Sequence, residues 1–74
     1  MTVKEYLLRD ISNIYDDYTI VIQDEDSNII YYGDKYDLLV SDNYDDFIVL
    51  HTEENKEEKY LIFVAYICNF GELI

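Results

Sequence analysis

The stretch that decides the fold is YTIVIQDEDSNIIYY, residues 18–32. Residues 18–23 are mostly β-branched, and from Tyr18 onward an apolar side chain recurs at every second position, which predicts a strand. Residues 24–28 combine Asp, Glu, Ser and Asn, which favour tight turns. Residues 29–32 return to apolar and aromatic side chains. The stretch therefore predicts a β-hairpin with strands over 18–23 and 29–32.

An amphipathic helix is predicted before this hairpin. Thr2-Val3-Lys4-Glu5 has the capping-box pattern, in which the Thr hydroxyl and the Glu carboxylate bind free amides of the first helical turn. Leu8 lies beside a stripe of apolar residues that recur every three or four positions, namely Val3, Leu7, Ile11 and Ile14. The spacing predicts that the helix ends near Tyr15.

The rest of the chain predicts one short helix and two more strands. In order, we expect a short helix over 35–40 capped by Asp34, a polar loop over 41–45, a strand over 46–52, an acidic loop over 53–58 and a strand over 59–68. The order α-β-β-(short α)-β-β predicts an α+β fold, in which the N-terminal amphipathic helix packs on a mostly antiparallel four-stranded sheet. We expect a single small acidic domain over residues 1–74.

The net charge of the chain is −12, from 17 Asp or Glu and five Lys or Arg. A compact chain of this length has a radius of gyration of roughly 11 Å, and about 20 Å of duplex DNA carries the same charge. Such a surface repels phosphates, so direct binding of nucleic acid is not expected. It attracts a protein with a strongly basic surface, and basic surfaces of that size usually bind nucleic acid. A solvated acidic face that only keeps the protein in solution is the alternative.

Tyrosine and acidic residues occur side by side in three units that begin outside the predicted strands. The units are Tyr15-Asp16-Asp17, Tyr36-Asp37 and Tyr44-Asp45-Asp46. At an interface the rings would add rigid contact area and cation–π partners for Arg, while the carboxylates pair with the same cations. The candidate partner-binding residues are therefore Tyr15, Asp16, Asp17, Asp24, Glu25, Asp26, Tyr36, Asp37, Asp42, Tyr44, Asp45 and Asp46. Tyrosines on strands, such as Tyr18 and Tyr60, are expected to fill the core instead.

A calcium site is excluded by spacing. Asp24, Asp26 and Asn28 occupy the first, third and fifth positions of an EF-hand loop. The sixth position is Ile29, where the sharp turn needs Gly, and the twelfth is Lys35, where a bidentate Glu is needed. We expect no metal and no cofactor.

Catalysis is not expected either. His51 and Cys68 are the only residues of their kinds, too few for a closed zinc site. They could form a nucleophile pair, because they lie on neighbouring predicted strands. Cys68 is better interpreted as a small hydrophobic residue, and His51, on the same predicted face as Phe47 and Val49, as a structural histidine. The chain has only two glycines and no glycine-rich phosphate loop.

The cellular compartment is predicted from cysteine use and hydropathy. A single cysteine cannot form an intramolecular disulfide, and no basic segment precedes an apolar one at the N-terminus, so a reducing cytoplasm is expected. The longest apolar stretch, residues 60–68, is far shorter than the roughly 20 residues of a membrane helix. No membrane partner is expected.

Three segments resemble short acidic proteins encoded by bacterial prophages and other mobile elements: TVKEYL (2–7), YTIVIQDEDSNIIYYGD (18–34) and YDLL (36–39). In size, charge and α+β pattern the chain is also similar to anti-CRISPR and anti-restriction proteins that act as DNA mimics. The resemblance implies an inhibitor in the host-cell cytoplasm that blocks the positively charged channel of a Cas effector or restriction enzyme. The alternative is a non-inhibitory acidic module, an adaptor or antitoxin-like partner of a basic protein. The oligomeric state stays open.

Overall fold

The computed structural model describes residues 1–9 and 14–67. Its elements are α1 (Val3–Leu8), β1 (Thr19–Gln23), β2 (Ile29–Gly33), α2 (Lys35–Val40), a 3-10 turn (Asp42–Tyr44), β3 (Phe47–Asn55) and β4 (Tyr60–Ile67). This order confirms the predicted α+β fold.

The four strands form one mixed sheet in the order β2-β1-β4-β3. The pairs β1–β2 and β3–β4 are antiparallel hairpins, and β1 and β4 run parallel in the centre. The two central strands carry the most continuous apolar runs, TIVIQ and YLIFVAYI. Central strands are covered on more sides than edge strands, so these runs lie where burial is greatest. The prediction of a mostly antiparallel sheet is confirmed.

The main core lies between the two helices and one face of the sheet. The helices contribute the fully buried side chains of Val3, Leu7 and Leu38. These pack against buried side chains on the facing side of β1 and β4, namely Ile20, Ile22, Leu61, Phe63 and Ala65. The ring of Tyr6 stands edge-on to that of Phe63, with 5.1 Å between centroids. Each large apolar side chain buried here contributes about 1.5–3 kcal/mol. The capping box of α1 is present, with both Thr2–Glu5 bonds formed.

The first helix is shorter than predicted. It ends at Leu8, with Arg9 as its C-cap, and the chain is in a turn at Tyr15 rather than in a helix. Leu8 and Ile14 are exposed, so the predicted apolar stripe is buried only at its start. Ile11 lies outside the described residues. Helical periodicity does not indicate where a helix ends.

The third strand is longer than predicted, because Glu53 and Glu54 belong to it rather than to a loop. Their backbones pair with Ile62 and Leu61 of β4. Edge strands tolerate charged residues because one side of the strand faces solvent. The connecting turn is therefore confined to residues 56–59.

The prediction that His51 is a structural histidine is wrong. A β-bulge between Val49 and His51 inserts one extra residue, so His51 lies opposite Val64 and is turned away from the face of Phe47 and Val49. Its side chain is exposed, with Nε2 3.9 Å from Oε1 of Glu53. The Cys68 partner that the sequence suggested lies outside the described residues.

Candidate partner-binding surface

The loop unit Tyr15-Asp16-Asp17 is attached to the fold at each position. Asp16 Oδ1 lies 2.6 Å from Nζ of Lys35, and Asp17 forms an ion pair with Lys59. These lysine contacts are the main reason that the pKa values of both carboxyl groups lie below their usual range. The two acids are thus largely compensated by cations of the same chain.

The hydroxyl of Tyr15 donates to Oε1 of Glu54 at 3.0 Å, and that of Tyr18 donates to Oε2 at 3.2 Å. The two rings meet edge to face, with 5.1 Å between centroids. Burial, followed by the bond to Glu54, raises the pKa of both phenols. Sequence reasoning missed this cluster, because the bulge that turns Glu54 toward the helices leaves no local signal in the sequence.

The unit Tyr36-Asp37 lies on α2. Tyr36 is 52% exposed, and Nζ of Lys35 lies 5.2 Å from the centre of its ring. Asp37 lies in the first turn of α2, where its backbone N–H donates to the capping carboxylate of Asp34 at 2.8 Å. Lys35 itself is only 3% exposed, so α2 carries a buried cation under its exposed tyrosine.

In the unit Tyr44-Asp45-Asp46 only Asp46 has a carboxylate without an ion-pair partner among the described residues. The ring of Tyr44 packs edge-on against Tyr31, with 5.1 Å between centroids, and belongs to the margin of the core. Asp45 Oδ1 lies 2.5 Å from Nζ of Lys4. Asp46 is exposed and forms no ion pair with any described residue.

The β1–β2 turn holds two exposed acids in a fixed loop. The carboxylate of Asp24 accepts from the backbone N–H groups of Asp26 and Asn28, both at 2.9 Å, and from the Asn28 side chain at 3.0 Å. These bonds, led by the one from the Asn28 side chain, lower the pKa of Asp24. The turn borders a groove of about 460 Å³ that is lined by Asp24, Glu25, Asp26, Ile30, Phe47, Ala65, Tyr66 and Ile67.

The predicted site residues are therefore of two kinds. Asp16, Asp17 and Asp45 use three of the five basic residues of the chain as ion-pair partners, and Tyr15 and Tyr44 pack on the core. In the part of the chain that the structure describes, seven exposed acids have a carboxylate with neither an ion pair nor a hydrogen bond: Glu25, Asp26, Asp37, Asp42, Asp46, Glu57 and Glu58. The acidic surface that a partner can neutralise is formed by this second group, which we call the free acids.

The shape of the domain corrects the charge density expected from the sequence. Its longest dimension is 43 Å, so a net charge of −12 corresponds to roughly one charge per 4 Å of length. A single DNA strand carries one phosphate per about 3.4 Å, and a duplex twice as many. The domain therefore has a linear charge density close to that of one DNA strand and about half that of a duplex.

Residues 1–9 and 14–67 contain no group of three or more His, Cys, Asp or Glu placed to hold a metal ion. Across the same two segments, the helices are too short and too polar to cross a bilayer. Comparison with protein-family models, with curated proteins and with solved structures finds no match for this chain.

Proposed function

We propose that this domain is a phage-type inhibitor of a bacterial DNA-binding defence enzyme. It binds the positively charged channel that receives DNA, and its free acids take the place of backbone phosphates. The partner is a basic nucleic-acid-binding protein, such as a Cas effector or a restriction enzyme, in the cytoplasm of the host cell. The domain carries out no catalysis and binds no nucleic acid itself.

One observation carries this proposal: the chain uses three of its five cations in ion pairs within the fold and leaves the free acids without an ion-pair partner among the described residues. Lys4, Lys35 and Lys59 connect α1, α2 and the β3–β4 turn to acidic loops. Self-repulsion among the free acids lowers the stability of a small domain, and structural features that cost stability are candidate functional features. A basic channel would supply the missing cations and release their bound counterions.

The linear charge density of the domain supports a contact that replaces one DNA strand. Proteins that bind DNA contact its phosphates with Lys and Arg side chains. The domain carries roughly one net charge per 4 Å of its longest dimension, a mean density close to that of one DNA strand. A basic surface that neutralises one DNA strand therefore matches the mean charge of this domain.

Competition for DNA is the direct test. A guide-loaded Cas nuclease and a restriction endonuclease are incubated with a labelled cognate duplex, and DNA binding is followed by fluorescence anisotropy as the protein is added. We expect DNA to be displaced from at least one of them, with an apparent affinity that falls as NaCl rises, because the contact is mainly ionic.

A matched pair of variants shows whether the free acids are responsible. The variant Glu25→Gln/Asp26→Asn/Asp42→Asn/Asp46→Asn removes four charges and leaves every described ion pair intact, and it should inhibit at least about tenfold less. The control Tyr36→Phe keeps all charges and should inhibit like the wild type. Equal inhibition by all three proteins would contradict the proposal. A partner that binds DNA and this protein together, without mutual weakening, would identify the adaptor-type module instead.

A further inference from the structure

The sheet has a second face, on which none of the described helices packs. Residues directly opposite each other in neighbouring strands share a face, so the strand register identifies its members. We call this surface the open face, and it consists of Thr19, Val21, Gln23, Ile29, Tyr32, Ile48, His51, Glu53, Asn55, Tyr60, Ile62, Val64 and Tyr66.

The burial pattern separates this face from the main core. Val21 and Val64 are each only 6% exposed, yet neither belongs to the cluster that the helices cover. The hydroxyls of Tyr32 and Tyr60 lie 3.1 Å apart, so their rings meet across β1, the strand between theirs. The open face thus has an apolar centre of its own, with Tyr32 (60% exposed) and Tyr66 (41% exposed) available for contact.

The open face is poor in charge although the protein is rich in it. Among its members, Glu53 is the single carboxylate. Five members are aliphatic and three are tyrosines, a composition typical of the buried centre of protein interfaces, from which Asp and Glu are depleted. Four of the free acids lie at its two ends: Glu25 and Asp26 in the β1–β2 turn, and Glu57 and Glu58 in the β3–β4 turn.

We infer that the open face is the docking surface for the inhibited enzyme, and that the enzyme contributes an apolar or aromatic patch with Lys or Arg at both ends. This inference rests on the proposed function, which requires a basic partner. Charge complementarity indicates which kind of partner binds the open face. A second copy of this chain, laid on the open face with its strands aligned in either direction, would place an acidic turn of each copy at the same end of the interface, whereas a patch with basic ends pairs with both turns.

The inference also predicts which aromatic residues bind. Tyr32 and Tyr66 lie on the open face, and Tyr66 additionally lines the groove beside Glu25 and Asp26. The groove is also lined by Ile30, Phe47 and Ala65 of the main core side. Tyr66 is therefore the member of the open face that lies in the groove beside the acidic turn. Tyr36, which the sequence pattern favours, lies on the helical side of the molecule.

A synthetic peptide tests the stated chemistry without assuming which enzyme binds. The probe has two arginines at each end and a Leu-Trp-Leu-Trp centre. One control peptide replaces the arginines by glutamates, and another replaces the centre by four serines. Binding to the full chain is followed by NMR, and the backbone amide signals of Val21, Ile62 and Val64 should shift with the probe. The serine peptide should bind at least about tenfold more weakly, and the glutamate peptide should not bind.

Variants then locate the contact. Tyr32→Ala and Tyr66→Ala should each weaken probe binding about 5- to 30-fold, and Tyr36→Ala, a comparably exposed tyrosine, by less than about twofold. Thermal melts confirm that each variant is folded. Shifts confined to the acidic turns, with equal affinity for the serine peptide, would overturn the inference. So would a dimer at low salt, seen by sedimentation, in which the open-face amides are protected from exchange.

The outcome is separable from that of the proposed function. If the probe binds the open face but no enzyme loses its DNA, the docking surface stands and the inhibitor function fails. If an enzyme is displaced from DNA equally well by Tyr32→Ala, Tyr66→Ala and the wild type, the function stands and the docking surface is wrong.

Discussion

Nζ of Lys35 lies 2.6 Å from Oδ1 of Asp16, with the lysine side chain 4% exposed and the aspartate side chain 40% exposed. The next residue, Asp17, pairs with Lys59 in a contact whose two side chains are both more than half exposed. The same two-residue acidic segment therefore makes one ion pair to a buried cation and one to a cation in water. Removing the partner of a buried charge costs far more than removing the partner of an exposed one.

We expect Asp16→Asn to lower the midpoint of urea unfolding clearly, and Asp17→Asn to leave it nearly unchanged. The two variants remove the same charge from adjacent positions, so general charge repulsion cancels in the comparison. Equal midpoints would show that Lys35 does not depend on Asp16 for its stability in the buried position.

Truncating the centre of the core should unfold the domain. Phe63 is fully buried and contacts Tyr6 edge to face. Replacing a buried Phe by Ala costs about 3–5 kcal/mol, and a domain of this size has roughly 4–11 kcal/mol in total. Phe63→Ala should therefore lose a large part of the free energy of unfolding in a urea titration, whereas Tyr66→Ala on the open face should lose much less. A Phe63→Ala protein as stable as the wild type would contradict the core assignment.

Stability should decrease in alkaline solution. The pKa values of Tyr15, Tyr18 and Tyr31 are raised chiefly by burial, and that of Tyr60 by its hydrogen bond to Tyr32, from an ordinary value of 10.0. A group whose folded-state pKa is raised contributes stability that is complete below its unfolded pKa and lost as the pH rises through the folded one. The free energy of unfolding should fall steadily above about pH 10.

Ultraviolet titration measures the pKa values of the phenols, and urea unfolding at each pH measures the free energy of unfolding. Tyr18→Phe serves as the control, because it removes one of the linked groups and should make the decline less steep. A flat stability profile above pH 10 would contradict the described burial of these tyrosines.

Salt should stabilise the protein. The free acids repel one another through water, and this repulsion is screened when the Debye length falls from about 20 Å to a few ångströms. Thermal melts at about 20 mM and about 500 mM NaCl should show the higher midpoint at the higher salt concentration. The variant Glu57→Gln/Glu58→Gln should reduce the difference. A lower midpoint at high salt would mean that the ion pairs of Lys4, Lys35 and Lys59 outweigh the repulsion.

Asp46 should matter more for binding than its neighbour Asp45. Asp45 is already paired with Lys4, whereas Asp46 has no ion-pair partner among the described residues. With an enzyme that the DNA-competition assay identifies, Asp46→Asn should weaken inhibition by about threefold to tenfold, as the loss of an interface charge does. Asp45→Asn should act mainly on stability. The opposite order would assign the binding charge to Asp45.

Local patterns were sufficient for most of the fold. The period-two alternation and turn residues of 18–32 predict the first hairpin to within one residue at each end, and the capping residues Thr2 and Asp34 mark the helix starts correctly. These features depend on neighbours within four residues, so they can be read directly along the chain. The end of α1 and the length of β3 depend on distant partners, and both predictions were wrong.

The sequence by itself determined the charge, the α+β class and the identity of the strands, since these follow from composition and from short-range spacing. Tertiary structure alone decided which acids are free. Asp16 and Asp17 meet Lys35 and Lys59, 19 and 42 residues away, and Glu54 receives bonds from tyrosines 39 and 36 residues away. Tertiary structure also determines which side chains lie on the face of the sheet opposite the helices. The parallel pairing of β1 with β4 and the bulge before His51 fix which residues share that face. Such pairings follow from chain closure over long separations, and no local pattern of residues encodes them.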